Sequence, residues 1–324
     1  MPVISRRNVV VAALACSQFL AAHAADPFPS KPIRVVVNAV PGGSLDITTR
    51  LVAKQMGDKL GQSLIVDNRA GGDGLVGIRA VLSAPADGYT LLATAGTIAI
   101  QPAVKNNPGY DLLKDFTGIG PMLRSPLLLL VGTDQPDKTL VEFTSRAKAS
   151  PGKLAYASAG FGTTTHIGAA LFAQHAGVQM QHIPYKGSGA ALPDVAGGRV
   201  PMIMTGYSSA LPLMKSGKLR ALGVSSTDRL PGLPELPTIA EQGVANFSYH
   251  LWLGLLAPAG TPAPVVQKLS EALRAALRSK ELEERFRSDG SEVAPMGSDE
   301  FNAFLRRDLA QMNKLVTELG LPKE

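Results

Sequence analysis

The residues of this 324-residue chain best suited to chemistry are two glycine turns, each set between a strand-forming run and the start of a helical pattern. The first is Ala39-Val40-Pro41-Gly42-Gly43-Ser44-Leu45-Asp46, which follows "IRVVV" and leads into "ITTRLVAKQMGDKLG". The second is Ser158-Ala159-Gly160-Phe161-Gly162-Thr163-Thr164-Thr165-His166, which follows the strand residues of "LAYAS". A helix start leaves backbone N–H groups unpaired and carries partial positive charge, and glycine lets a ligand approach the backbone, so each turn can hold an anion. Either turn alone is equally a plain strand-to-helix connection, with Ser44 or Asp46 capping the first helix. Two such turns in different halves of the chain can face each other and hold one anion from both sides. A P-loop needs Lys-Ser/Thr after its last glycine; Leu45-Asp46 and Thr163-Thr164 stand there instead, which favours a carboxylate over a nucleotide. Tyr185-Lys186-Gly187 precedes a further glycine turn and helix, and Lys186 can assist an acidic ligand.

Other chemistries find less support. Gly72-Asp73-Gly74-Leu75-Val76-Gly77 matches the dinucleotide pattern G-x-G-x-x-G, but the acid expected about 20 residues on is missing, because Thr94-Ala95-Gly96-Thr97 falls there. It is set aside. No G-x-S-x-G nucleophile turn and no H-E-x-x-H zinc motif occurs. His166, His175, His182 and His250 lack ligand spacing and read as structural or surface residues, with His166 the exception because it borders the second turn. No catalytic residue, metal or cofactor is expected.

The N-terminus reads as an export signal over 1–25: basic "MPVISRR", an apolar run of about 15 residues, and Ala22-His23-Ala24 before the cut. Arg6-Arg7 leaves the general and twin-arginine routes both open. Cys16, the only cysteine, lies inside that run, so the exported chain has neither disulfide nor Cys-ligated zinc. Loss of Arg6 and Arg7 lowers the formal net charge from +6 to +4. With 5% aromatic residues and dispersed basic ones, a nucleic-acid surface is not expected. No later apolar run approaches the roughly 20 residues of a membrane span.

Short apolar runs then alternate with helical patterns, the mark of parallel α/β architecture. The simplest division is a first lobe of 26–123 plus 252–324 and an inserted second lobe of 124–251, with chain crossings near 121–126 and 247–253. Ser298 and Asp299 are placed to cap the last helix.

Taken together, "FPSKPIRVVV", "PGGSLD", "LGQSLIVDNRAGGDGLVG", "APADGYTLL", "IPYKGSGAALPDVAGG", "SGKLRALGVSS" and "LPELPTIAEQGV" resemble the Bug, or tripartite tricarboxylate transporter receptor, family of periplasmic solute-binding proteins. The resemblance implies a class II periplasmic-binding α/β fold, two lobes with a ligand cleft, closing by a hinge on a small organic acid. By position, it implies ligand contacts from Ala39, Val40, Pro41, Gly42, Gly43, Ser44 and Asp46, and from Gly96 and Thr97. The second lobe contributes Ser158, Gly160, Gly162, Thr163, Thr164, Thr165, His166, Tyr185, Lys186, Gly187, Thr205, Gly206 and Tyr207. It further implies a periplasmic monomer whose partners are the ligand and the membrane subunits of a tripartite transporter. Two departures stand out. Ala39 replaces a frequent phenylalanine, and Thr205 a frequent aspartate, so a roomier and less anionic pocket is expected, suited to an aromatic acid or longer dicarboxylate rather than an amino acid. The alternatives are an exported hydrolase or isomerase on the same scaffold, and a module presenting ligand to a sensor.

Overall fold

Runs of Val, Leu and Ile bounded by glycine and proline supply the strands, and apolar residues at helical spacing lay the intervening helices over them. The computed structural model describes residues 27–288, 290–293 and 295–324; the proposed export signal lies outside them. The elements, in order, are β1 (Ile33–Val37), α1 (Ser44–Leu60), β2 (Leu64–Asn68), a single 3-10 turn (Gly72–Gly74), α2 (Leu75–Leu82), β3 (Thr90–Ala95) and α3 (Thr97–Val104). There follow α4 (Leu112–Asp115), β4 (Phe116–Gly132), α5 (Leu140–Ala149), β5 (Leu154–Ser158), α6 (Thr164–Ala176), β6 (Met180–Pro184), α7 (Ser188–Ala196), β7 (Met202–Gly206), α8 (Tyr207–Lys215) and β8 (Leu219–Val224). The chain ends with β9 (His250–Pro258), α9 (Ala263–Leu277), α10 (Lys280–Ser288) and α11 (Ser298–Glu318).

The strands run in the order β2-β1-β3-β9-β4-β7-β5-β6, with β8 paired to β4. Pairing is parallel within β2-β1-β3 and within β7-β5-β6, as alternating strands and helices predict. The strands between them are antiparallel: β9 pairs with β3, and β4 pairs with β9, β7 and β8. Two strands thus serve both lobes. The first part of β4 pairs with β9 from Phe116↔Pro258 to Pro126↔His250, and from Leu127↔Gly206 onward it pairs in the second lobe. The apolar run "PLLLLVGT" reads as strand from sequence, whereas Gly118, Gly120 and Pro121 before it are unfavourable in one. Register shifts at Gly118/Gly120 and Pro121/Leu123 accommodate those residues and extend the strand back to Phe116.

In both lobes the chain leaves a central strand, β1 or β5, first to one side and then to the other. A crevice opens at the carboxyl ends of strands where the order reverses in this way. The residues after β1 and β3 in one lobe, and after β5 and β7 in the other, are therefore set to line it.

Helix α11 closes the back of the first lobe. Phe301 is fully buried above Gly118 and Gly254, where a Cβ would come within 2.8 and 2.7 Å of its ring. Trp252 of β9 packs edge-on against Phe301 and Phe304, and its Nε1 donates to Asp308 Oδ2 at 2.8 Å. One expectation fails here: Gly297, not Ser298 or Asp299, is the N-cap of α11, and no side chain caps it. Ser298 instead donates to the Gly118 carbonyl at 2.6 Å, tying the helix to β4.

Burial pushes the Asp308 carboxyl up to about 6, although the Trp252 bond opposes the rise. A folded-state pKa above the ordinary value of 3.8 favours the protonated fold, so that contribution is full below pH 3.8 and lost as pH rises through about 6. An Asp308→Asn variant should therefore gain melting temperature on the native chain between pH 4 and pH 8. A difference that does not change with pH would contradict this.

Candidate functional site

Where the strand ends of the two lobes meet they enclose a cavity of about 290 Å³. The first lobe contributes Asn38, Ala39, Val40, Gly43, Ser44 and Leu45 after β1, Ala70 to Gly74 after β2, and Ala95 and Thr97 around the end of β3; Leu251 and Leu253 of β9 lie at the crossing between the lobes. The second contributes Ala159 and Thr163–Thr165 after β5, Tyr185–Ser188 after β6, and Thr205 of β7.

Five helices begin at this wall, and their caps explain its electrostatics. α1, α2, α3 and α7 start from Gly43, Gly74, Gly96 and Gly187, and none has a side-chain cap. Only α6 caps itself, through Thr163 accepting from the His166 N–H. A glycine N-cap offers no side-chain oxygen to the first turn, so the partial positive charge of these helix starts is left toward the cavity. Backbone carbonyls do take some of the N–H groups: Val76 donates to Gly71 at 3.3 Å, Ala99 to Gly96 at 3.0 Å and Ala190 to Gly187 at 3.1 Å. The acid that could have quenched the first turn is drawn aside. Asp46, 4% exposed, accepts from the Gly42 N–H, Arg50 Nε and Asn68 Nδ2, each at 3.0 Å. Burial pushes its pKa up, but the bonds from Gly42, Arg50 and Asn68 outweigh that and hold it below the ordinary carboxylate value.

Of the residues nominated from sequence, Ala39, Val40, Gly43, Ser44, Thr97, Thr163, Thr164, Thr165, Tyr185, Lys186, Gly187 and Thr205 line the cavity. Thr205 is buried and donates to Ser188 Oγ at 3.0 Å, whereas the Tyr185 hydroxyl is committed to Asp194 at 2.7 Å. Pro41, Gly42, Asp46, Gly96, Ser158, Gly160, Gly162, His166, Gly206 and Tyr207 do not line it.

Several of those glycines serve the lobe contact instead. A Cβ on Gly162 would stand 2.4 Å from Val104, and one on Gly206 would stand 2.6 Å from Ser44 Oγ. Gly187, itself in the wall, would be 2.5 Å from Val40. Polar contacts cross the same seam: Ser44 Oγ to Ser209 Oγ at 2.6 Å, and Gln101 Nε2 donating to the carbonyls of Phe161 and Gly162 at 3.1 and 3.3 Å.

His166 supports the second turn from behind. Its Nδ1 accepts from the Gly162 N–H at 3.1 Å, and its ring stacks on His182 with centroids 3.8 Å apart. His182 Nε2 in turn meets Ser158 Oγ at 2.6 Å. Burial pushes His166 down to about 3, helped by the His182 charge, and pushes His182 down to about 4. Both rings are neutral at pH 7. Spacing in the sequence could not show this pair, because α6 and β6 bring it together.

Sequence reasoning missed Asn38, the Ala70–Gly74 stretch, Ala95, Ser188, Leu251 and Leu253. The Gly72-Asp73-Gly74 turn does follow a strand and precede a helix, and Gly77 lets α2 approach β1, where a Cβ would meet Asn38 at 2.7 Å. Setting it aside as a dinucleotide fingerprint hid its place in the wall. It also brings an acid, Asp73, into a pocket expected to be less anionic. Leu251 and Leu253 lie far along the chain in β9 and carry no local signal. Among the described residues no group of three His, Cys, Asp or Glu side chains is placed to hold a metal.

Two α/β lobes joined by shared strands, with a cavity at both points of strand reversal, define a periplasmic-binding-protein fold. The structure of the periplasmic binding protein BugD superposes with a TM-score of 0.87 at 31% identity, covering 92% of this chain and 100% of that one. "R. palustris Rpa4515 with adipate" gives 0.88 at 32% identity, covering 92% and 100%. A curated relative, the UPF0065 protein in the tcbD-tcbE intergenic region of Pseudomonas sp. (strain P51), is 34% identical over 321 residues, 98% of this chain and 96% of its own. Residues 48–321 match the family described as tripartite tricarboxylate transporter family receptor. The chain belongs to that family.

The histidine pair yields a test. Folded-state pKa values below the ordinary 6.5 mean that the unfolded chain takes up protons the fold refuses, so the pair's contribution is full above pH 6.5 and is lost as pH falls toward 4 and 3. The native melting temperature should drop between pH 7 and pH 4, and His182→Phe should drop less steeply. Parallel curves would contradict the assignment.

Proposed function

We propose that this protein captures a small organic carboxylate, a di- or tricarboxylate or an aromatic acid, between its lobes in the periplasm and surrenders it unchanged to the membrane subunits of a tripartite transporter. The observation that carries this reading is the ring of helix starts: four glycine-capped and one threonine-capped, all opening on one cavity between two lobes. The structural neighbour with adipate supports the class of ligand. The lobes we assign are 26–123 plus 252–324 and the inserted 124–251, and they pivot where β4 and β9 pair across Arg124↔Trp252, Ser125↔Leu251 and Pro126↔His250.

The energetics suffice without an arginine clamp. Hydrogen bonds to a charged group contribute roughly 1.5–3 kcal/mol each, and micromolar binding requires about 8 kcal/mol. Four or five N–H and hydroxyl donors reach that after the ordering costs of association. Nothing in this reading breaks a bond in the ligand, so the acid is recovered intact after prolonged incubation; turnover would refute that part of it.

A thermal-shift screen of the exported chain against organic acids tests the proposal. Ligand at about 100 times Kd adds roughly 2.7 kcal/mol of stability, which raises the melting temperature of a protein this size by several degrees. A broad carboxylate panel that moves nothing would overturn it. Closure has its own test in Gly206, which lies outside the cavity but against Ser44 of the other lobe. Its φ of −66° suits alanine, so Gly206→Ala should fold normally yet bind the best acid at least tenfold more weakly. Unchanged affinity would remove lobe closure from the account.

A further inference from the structure

We infer that Asp73 restricts this cavity to acids with a single carboxylate, so that the rest of the ligand is apolar or hydrogen-bond-donating rather than a second anion. The inference rests on the carboxylate-binding reading above and narrows it to the aromatic and other single-carboxylate acids, setting aside its di- and tricarboxylates. Asp73 is the only carboxylate among the described residues of the cavity wall. Its backbone is left-handed, φ 54° and ψ 33°, within a run where Gly71, Gly72 and Gly74 also have positive φ. A side chain holds that conformation at a cost that glycine would avoid, and such costs gather at functional positions.

The carboxylate is held in place from outside the cavity. Lys105 Nζ pairs with Asp73 Oδ2 at 3.1 Å and with Glu324 at 3.6 Å, so its charge is shared between two acids and it does not line the wall. Asp73 Oδ1 faces the second lobe: a Cβ on Gly160 would lie 2.6 Å from it. The negative charge reaches across the seam, where it favours the charged form of His182 against the larger opposing effect of burial. A ligand carboxylate at the helix starts is well served, but a second one in the same small cavity meets a fixed like charge. The other charged wall residue, Lys186, is exposed, and water and salt screen it. Val40, Leu45, Leu251 and Leu253 give the remainder of the ligand an apolar surround.

Matched acids decide the matter: hexanoate against adipate and benzoate against terephthalate, titrated calorimetrically into the native chain and into Asp73→Asn. Asparagine tolerates the left-handed backbone, and Asp73→Gly, scored by the same ratio, guards against an effect of the amide itself. The native chain should bind the monoacid of at least one pair tenfold or more tightly than its diacid, a difference of about 1.4 kcal/mol. Both variants, with melting temperatures near the native one, should bring that ratio within threefold. A native chain that binds diacids as tightly as monoacids, or variants that leave the ratio unchanged, would overturn the inference while leaving carboxylate binding intact. Failure of every acid to bind would overturn both.

Discussion

The structure depends on helix starts that are left without side-chain caps. In most helices an Asn, Asp, Ser or Thr satisfies the first-turn N–H groups, and the stabilisation stays within the helix. Here glycine stands at the N-cap of α1, α2, α3 and α7, and the nearest acid of the first turn, Asp46, is bound up with Gly42, Arg50 and Asn68. The positive ends of these helices are thereby left without a side-chain partner inside the fold, and glycine keeps the backbone open to a ligand.

That arrangement works only if the two lobes bring their helix starts to one place. The shared strands do this. β4 and β9 carry sheet pairing from one lobe to the other, so the crevices at the two points of strand reversal open on the same cavity. Trp252, which pairs with Arg124 at the crossing, also accepts the Gly96 N–H at 3.1 Å through its carbonyl and packs beneath α11. The start of α3, the crossing strand and the last helix are thus one mechanical unit. The seam between the lobes is close-fitting because glycine occupies it: side chains at Gly162, Gly187 or Gly206 would meet the opposite lobe at 2.4 to 2.6 Å.

Much of this was legible in the chain because strand, turn and helix follow one another locally. The turns around Gly43 and Thr163, and Tyr185-Lys186-Gly187, are contiguous motifs, and each contributes to the cavity. The α/β alternation likewise gave the parallel halves. What escaped depends on distance along the chain. Whether a glycine faces ligand or the other lobe is decided by Val40, Ser44 and Val104, not by its neighbours in sequence. The His166–His182 stack and the placement of Leu251 and Leu253 require the fold. Asp73 was read past for another reason: its glycines matched a nucleotide pattern, and rejecting the nucleotide also removed the turn from view. The full length of β4 was hidden by Gly118, Gly120 and Pro121, which suit a strand only where its register shifts.

The central claim is that backbone and hydroxyl donors at the helix starts recognise a carboxylate as such. It is tested most directly by calorimetric titration of the chain with an acid that stabilises it and with the primary amide of the same acid. The amide preserves shape and removes the charge. The account predicts one acid bound per chain and an amide at least a hundredfold weaker, about 2.7 kcal/mol. Equal affinity for acid and amide would contradict it.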